Sequence, residues 1–352
     1  MNHDDSSRDV SDVGEVPPST PTEGGGGGTT REDLERAILG ESPHLTSAQI
    51  TGAGEDATRD GRRLWRALGF PDAGDAAAFT DADRDAMAKL MAMVDSGLME
   101  FETAIRLTRA LGSTMARLAD WQVTTLSELV ERLEESGHGT GSRLTTGLQI
   151  IRSVEPTFED LLTYSWRRHL AAAVSRIEAL GARDSDLHTM SVTVGFADLV
   201  GFTELANGMD EDLLADVVEE FESSCSDLVA ARGGRVIKTL GDSVLFIAEE
   251  PVVGVDIASD IVERVGGDET LPDVHVGLAT GPVIMRLGDV FGAPVNMASR
   301  LTGVARRNRV ICDETTAAVV GELAGYVTRP LTERPLRGFG AVQPISVRRL
   351  LR

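Results

Sequence analysis

The sequence predicts an α+β protein in two parts, an all-α segment followed by a ferredoxin-like domain. Two observations carry this. Apolar residues recur at three- and four-residue spacing through the first half, and from Thr189 onward they recur at every second position. After that change the elements run strand, helix, strand, strand, helix, strand. This is the β-α-β-β-α-β order of a ferredoxin-like antiparallel sheet with helices on one face.

Residues 1–30 are rich in Asp, Ser and Pro and end near five consecutive glycines, Gly24–Gly28. They carry too little apolar surface to offset the entropy of ordering, so this stretch reads as a disordered tail. A helical domain is expected over 31–154. In it the RDGRRLWRALGF run is amphipathic, and Thr80 with Asp83 forms a capping-box pattern. A long helix over about 98–136 follows, with an apolar stripe through Leu107, Leu111, Met115 and Leu118 and a possible kink at Gly112. A linker segment over 155–186 carries one further helix, 158–184, ended by Gly181.

The last domain, 187–352, begins with strand 189–197 and helix 210–231, closed by Gly233-Gly234. Strands 235–240 and 243–248 flank a Gly241-Asp242 hairpin turn. Helix 251–265 and strand 273–279 complete the order, and strand 282–287, helix 293–306, strand 308–312, helix 313–323 and two final strands follow.

Composition excludes several functions. With 56 Asp and Glu against 34 Lys and Arg, the net charge of −22 argues against binding nucleic acid or anionic lipid surfaces nonspecifically. No apolar run approaches the roughly 20 residues of a membrane span. The polar, acidic N-terminus does not resemble a signal peptide, and Cys225 and Cys312 fit reduced core positions, so a cytoplasmic protein is expected. Only two lysines occur, Lys89 and Lys238, so a lysine is unusual against this chain's own arginine-rich background.

The chemistry begins at GFADLVGFTEL, residues 195–205. Val192, Val194, Phe196 and Asp198 fall on one strand face, so an apolar strand ends by aiming a carboxylate with its core residues. A buried carboxylate needs a positive partner. The glycines around it, Gly195 and Gly201, suggest a ligand approached closely by the backbone. KTLGDSVLF places Asp242 in the turn between the two neighbouring strands, where it should converge with Asp198. Each aspartate alone is by default a turn or cap residue; two together favour divalent cations, which bind carboxylates and phosphate oxygens. The turn carrying Phe202 and Thr203 could present backbone N–H groups to phosphates. Asn296 and Arg300, four apart on a helix, share a face that could stabilise charge on a phosphoryl group or simply meet solvent. Asp289 sits in a Gly-bounded loop. It could accept a hydrogen bond from an exocyclic amine while Lys238 donates to a ring nitrogen.

FADLVGFT, IKTLGDSVLF, GLATGPV and GDVFGAPVNMASRL, in that order, resemble the class III nucleotidyl cyclase catalytic domain over about 187–350. The resemblance implies cyclisation of ATP to cyclic AMP and pyrophosphate in a homodimer with two composite sites at its interface. It implies that Asp198 and Asp242 bind two Mg²⁺ or Mn²⁺ ions, Lys238 and Asp289 select adenine, and Asn296 and Arg300 stabilise the transition state. Where the family commonly has a lysine for the triphosphate, PLRGFG offers Arg337. A guanylyl cyclase and an inactive nucleotide-binding dimerisation module are the alternatives. The AIRLTRALGSTMARLADWQ run is similar to the N-terminal regulatory domain of some actinobacterial class III cyclases. That likeness implies autoinhibition acting through the linker helix, with a proton or a lipid as regulatory ligand. His169 and His188, in and beside that helix, are candidate proton acceptors or ordinary solvated histidines.

Overall fold

The computed structural model describes residues 29–51, 55–179, 189–286 and 288–350. The tail before residue 29, the helix stop at Gly181 and His188 lie outside the described residues. The chain divides into two compact units, with the boundary at Arg167.

The first unit is helical, with α1 (Arg31–Leu39), α2 (Ser47–Thr51), α3 (Glu55–Ala67), α4 (Asp81–Asp95), α5 (Phe101–Glu135) and the start of α6 (Arg143–Ala179). Thr30, expected in the tail, instead caps α1. The Thr80/Asp83 capping box forms as expected: the Thr80 hydroxyl accepts from Asp83 N at 3.2 Å, and Asp83 accepts from Thr80 N at 2.8 Å. Leu64, Met87, Ala104 and Ile105 form one core, and Leu45, Ile50 and Phe79 form a second. Trp65 packs against both, with its ring 4.7 Å from that of Phe79.

Two expectations fail in α5. The stripe through Leu107, Leu111 and Met115 faces outward, Leu107 being 58 % exposed; the buried stripe is Ala104, Ile105, Thr108 and Gly112. Gly112 does not break the helix. It lies where the backbone of Leu68 crosses, and a Cβ there would overlap that backbone. The small residues are inside because the neighbouring chain passes so close. The linker helix also starts earlier than expected. α6 runs unbroken from Arg143 through Pro156, whose missing N–H leaves one carbonyl of the preceding turn without its usual donor.

The second unit is built on an eight-stranded sheet. Its elements are β1 (Thr189–Leu199), α7 (Phe202–Ala206), α8 (Glu211–Ala231), β2 (Arg235–Thr239), β3 (Ser243–Ala248), α9 (Pro251–Val265), β4 (Val274–Arg286), β5 (Asp289–Phe291) and α10 (Ala293–Thr302). Then come β6 (Arg309–Cys312), α11 (Glu314–Val320), β7 (Tyr326–Pro330), β8 (Arg334–Leu336), β9 (Gly340–Val342) and β10 (Ile345–Arg349). The strand order is β2-β3-β1-β4-β6-β10-β7, with β5 paired to β4 and β8-β9 forming a separate hairpin. Among the described residues only the β4–β6 pairing is parallel. The two strands expected over 273–287 are one continuous β4, in which Pro282 pairs opposite Ser191. Asp289, expected in a loop, opens the short β5. Four strands, β7 to β10, stand where two were expected at the end.

Side-chain alternation separates two cores. Ala197, Leu199, Phe246, Val276 and Leu278 face α8, α9 and α11, where Cys225 and Cys312 are also buried. Val192, Val194, Leu245, Ala279 and Val283 face the other way, where Ala298 of α10 joins them. The helices therefore occupy both faces of the sheet. α10 can lie there because Gly277 has no Cβ, which would overlap the backbone of Ala298 and Thr302. Gly195 likewise makes room for the Phe246 ring, so its role is in packing and no ligand is needed to explain it. The register of β4 is held at its start by Asn308, which donates to Asp273 at 2.6 Å and accepts from Val274 N at 3.1 Å. On the α9 side, Arg349 joins β10 to Asp260 at 2.6 Å and to Glu263 at 3.0 Å.

Candidate active site

Asp198 stands at the end of β1, flanked in register by Ser243 on β3 and His275 on β4. Directly paired residues point to the same face, so the three side chains meet. Ser243 Oγ donates to Asp198 Oδ1, and His275 Nε2 lies 2.8 Å from Oδ2. The face is the one lined by Val192, Val194 and Phe196, as the alternation in the sequence required. His275 was not legible as a site residue. Its only signal is parity: Val274, Val276 and Leu278 occupy one face of β4, while His275 falls among Gly277 and Ala279 on the other.

Asp242 is half-buried in the β2–β3 turn that follows Gly241, whose φ of +68° suits glycine. The turn is tied to β1 because Leu199 N donates to the Asp242 carbonyl at 3.0 Å. Burial and then the charge of Asp198 push the Asp242 carboxyl above the usual carboxylate range. Its own backbone N–H and His275 pull it down without cancelling that. A second carboxylate close enough to raise that of Asp242, both being hard oxygen donors, fits a divalent cation such as Mg²⁺ or Mn²⁺.

Lys238 reaches this face through an irregularity. Val236 pairs with Phe246, but Lys238 pairs with Leu245, so Ile237 is an extra residue in a β-bulge. Strict alternation would put Lys238 on the α8/α9 face with Val236; the bulge turns it to the face of Leu245 and Asp198. There its Nζ meets Asp289 Oδ2 at 2.6 Å. Burial raises the Asp289 carboxyl. The Lys238 hydrogen bond, the Val290 N–H and the lysine charge together outweigh it, and the net shift is downward.

The remaining residues are arranged differently. Pro294, Ala298, Leu301 and Thr302 are the buried side of α10, and Asn296 and Arg300 lie on its exposed side with no partner among the described residues. They share a face, as expected, and that face is turned away from the sheet carrying Asp198. Arg337 is exposed in the β8–β9 turn, just after Leu336, which packs with Leu301 of α10. Phe202 and Thr203 begin α7 after Gly201, whose φ is +73°. The Phe202 ring packs against the α8/α9 core, so only its backbone is available to a ligand.

The site thus holds a carboxylate pair at a strand end and a lysine–aspartate ion pair, on a mixed sheet covered on both faces. Comparison with known proteins gives the family. Residues 186–344 match the adenylate and guanylate cyclase catalytic domain. An adenylate cyclase of Streptomyces coelicolor is 38 % identical over 88 % of this chain and 87 % of its own length. One from Glutamicibacter nicotianae is 34 % identical over 90 % of this chain and 82 % of its own. A pH-sensitive adenylate cyclase of Mycobacterium tuberculosis is 31 % identical over 82 % and 74 %. The chain belongs to the adenylate and guanylate cyclase family. No helix among the described residues is long and apolar enough to cross a membrane.

The electrostatic coupling of the two aspartates is directly measurable. In the metal-free protein, Asp198→Asn removes the neighbouring charge, so the Asp242 carboxyl should titrate at lower pH than in the wild type. Burial will keep it from falling further. Carboxyl ¹³C NMR of labelled protein reads this, and an unmoved Asp242 resonance would refute the coupling.

Proposed function

We propose that this chain is an adenylyl cyclase that converts ATP to cyclic AMP and pyrophosphate in a homodimer with two composite sites. The observation that carries the choice of ATP is the Lys238–Asp289 pair. It presents a donor beside an acceptor, complementary to the ring nitrogen and exocyclic amine of adenine. Guanine offers an acceptor and a donor in the reverse order, so the same pair meets it with like against like.

In the reaction the ribose 3′-hydroxyl loses its proton to solvent as its oxygen forms a bond to the α-phosphorus, and the bond from that phosphorus to the bridging oxygen of pyrophosphate breaks. Asp198 and Asp242 would hold two Mg²⁺ or Mn²⁺ ions. Such ions, when bound, would lower the pKa of the attacking hydroxyl and neutralise charge on the phosphates. Arg300 and Asn296 supply a guanidinium and a carboxamide to the charge that grows on the transferring phosphoryl group. Arg337 offers a planar fork to the triphosphate, in place of the point charge of a lysine. The Phe202 and Thr203 backbone N–H groups face the phosphates from the turn after β1.

The dimer reading is supported by the geometry of α10. Asn296 and Arg300 point away from the sheet of their own chain, so a partner copy is the natural place for them to meet Asp198 and Asp242. A twofold dimer then contains two identical composite sites. The helical unit is proposed to regulate the enzyme through α6, which carries the exposed His169. The relative named as pH-sensitive supports a proton as the signal.

Three measurements test this reading. The full chain should turn over ATP about a hundredfold or more faster than GTP at equal Mn²⁺; equal rates would defeat the assignment of the purine pair. Asp198→Ala and Arg300→Ala, each inactive alone, should recover roughly a quarter of wild-type activity when mixed, because half the dimers are mixed and each keeps one intact site. No recovery despite demonstrated subunit exchange would place the site within one chain. Activity of the full chain should be higher near pH 6 than near pH 8, with a weaker dependence in residues 185–352. Superimposable profiles would show that the helical unit is not the sensor.

A further inference from the structure

We infer that His275 is a positioning residue for the metal centre: with Ser243 it locks the Asp198 carboxylate into the one orientation that can receive a cation. The inference rests on the reading of Asp198 as a metal ligand and extends it to a residue that never touches metal or nucleotide.

The argument starts from register. Asp198 is directly opposite Ser243 on one side and His275 on the other, so three adjacent strands contribute one side chain each to a single row. The carboxylate accepts from Ser243 at Oδ1 and lies 2.8 Å from His275 Nε2 at Oδ2. An ionised carboxylate only accepts, so Nε2 must carry the hydrogen whatever the state of Nδ1. Donors on both sides oppose rotation of the carboxylate about χ2, which is otherwise a soft torsion.

Both oxygens remain usable. Each has two lone-pair directions, and the protein occupies one on each, which leaves the other for a cation. His275 is only 15 % exposed and Asp198 29 %, so water competes poorly for these bonds. The rest of the structure holds the imidazole in place. Asn308 fixes the start of β4, and α10 seats on Gly277, two residues further along the same face. A ligand held in advance loses less freedom when the cation arrives. Comparable outer partners of metal ligands change affinity by about 10- to 100-fold when removed.

The test uses the full-length protein and Mn²⁺, bound in the presence of α,β-methylene-ATP so that no turnover occurs, with free Mn²⁺ read by EPR. His275→Leu keeps apolar volume but removes the donor, and should weaken Mn²⁺ binding by about tenfold or more. His275→Gln keeps an N–H donor and should stay within about threefold of wild type. In turnover, His275→Leu should raise the Mn²⁺ needed for half-maximal rate while kcat at saturating Mn²⁺ largely recovers. If His275→Leu does not fold by circular dichroism, His275→Met takes its place. Wild-type affinity in the variant lacking a donor, or equal weakening by Gln and Leu, would overturn the inference. Asp198→Asn serves as the control. If neither it nor the wild type binds Mn²⁺, the metal reading itself falls and this inference falls with it.

Discussion

Cross-strand register at the end of β1 is the constraint on which the site depends. β1 lies between β3 and β4, and its pairing with each sets which residues share a row. A slip of one residue on either side would send Asp198 to the opposite face from its partners. The two cores guard against that slip. Ala197 and Leu199 must face α8 and α9, and Val192 and Val194 must face α10, so burial commits the strand on both of its faces. The position of one carboxylate is thus enforced by the hydrophobic energy of the whole sheet.

The second constraint is the close seating of α10. Gly277 lets the helix backbone approach the sheet, and Ala298 and Thr302 fill the space that a side chain would occupy. This burial selects the opposite side of the helix for solvent, which is where Asn296 and Arg300 stand. The same packing that stabilises one chain therefore leaves these two side chains unable to turn inward. That geometry agrees with the second copy that the proposed chemistry calls for.

Much of this was legible because β-alternation is a local property. Val192, Val194, Phe196 and Asp198 are on one face in the sequence and remain so in the structure. Thr80 and Asp83 cap their helix for a similarly local reason. The failures share a different cause. Gly112 and the Leu107 stripe exchanged roles because the proximity of Leu68 favours small side chains, and proximity is not written in periodicity. A helix was expected to begin only at 158, and strands 273–279 and 282–287 to be separate. α6 continues through Pro156 with one hydrogen bond missing, and β4 continues through Pro282, which pairs opposite Ser191.

By itself the sequence determined the order of the main elements from β1 to α9, the face on which Asp198 lies, the approach of Asp242 to it, and the shared face of Asn296 and Arg300. All of these follow from spacing along one segment or from the simplest return of neighbouring strands. Only the tertiary structure decided that Ile237 forms a bulge, which turns Lys238 toward Asp289, and that His275 stands beside Asp198. Bulge and register are settled by competition between packed faces from separate strands, so the information that fixes them exists only once those strands have met.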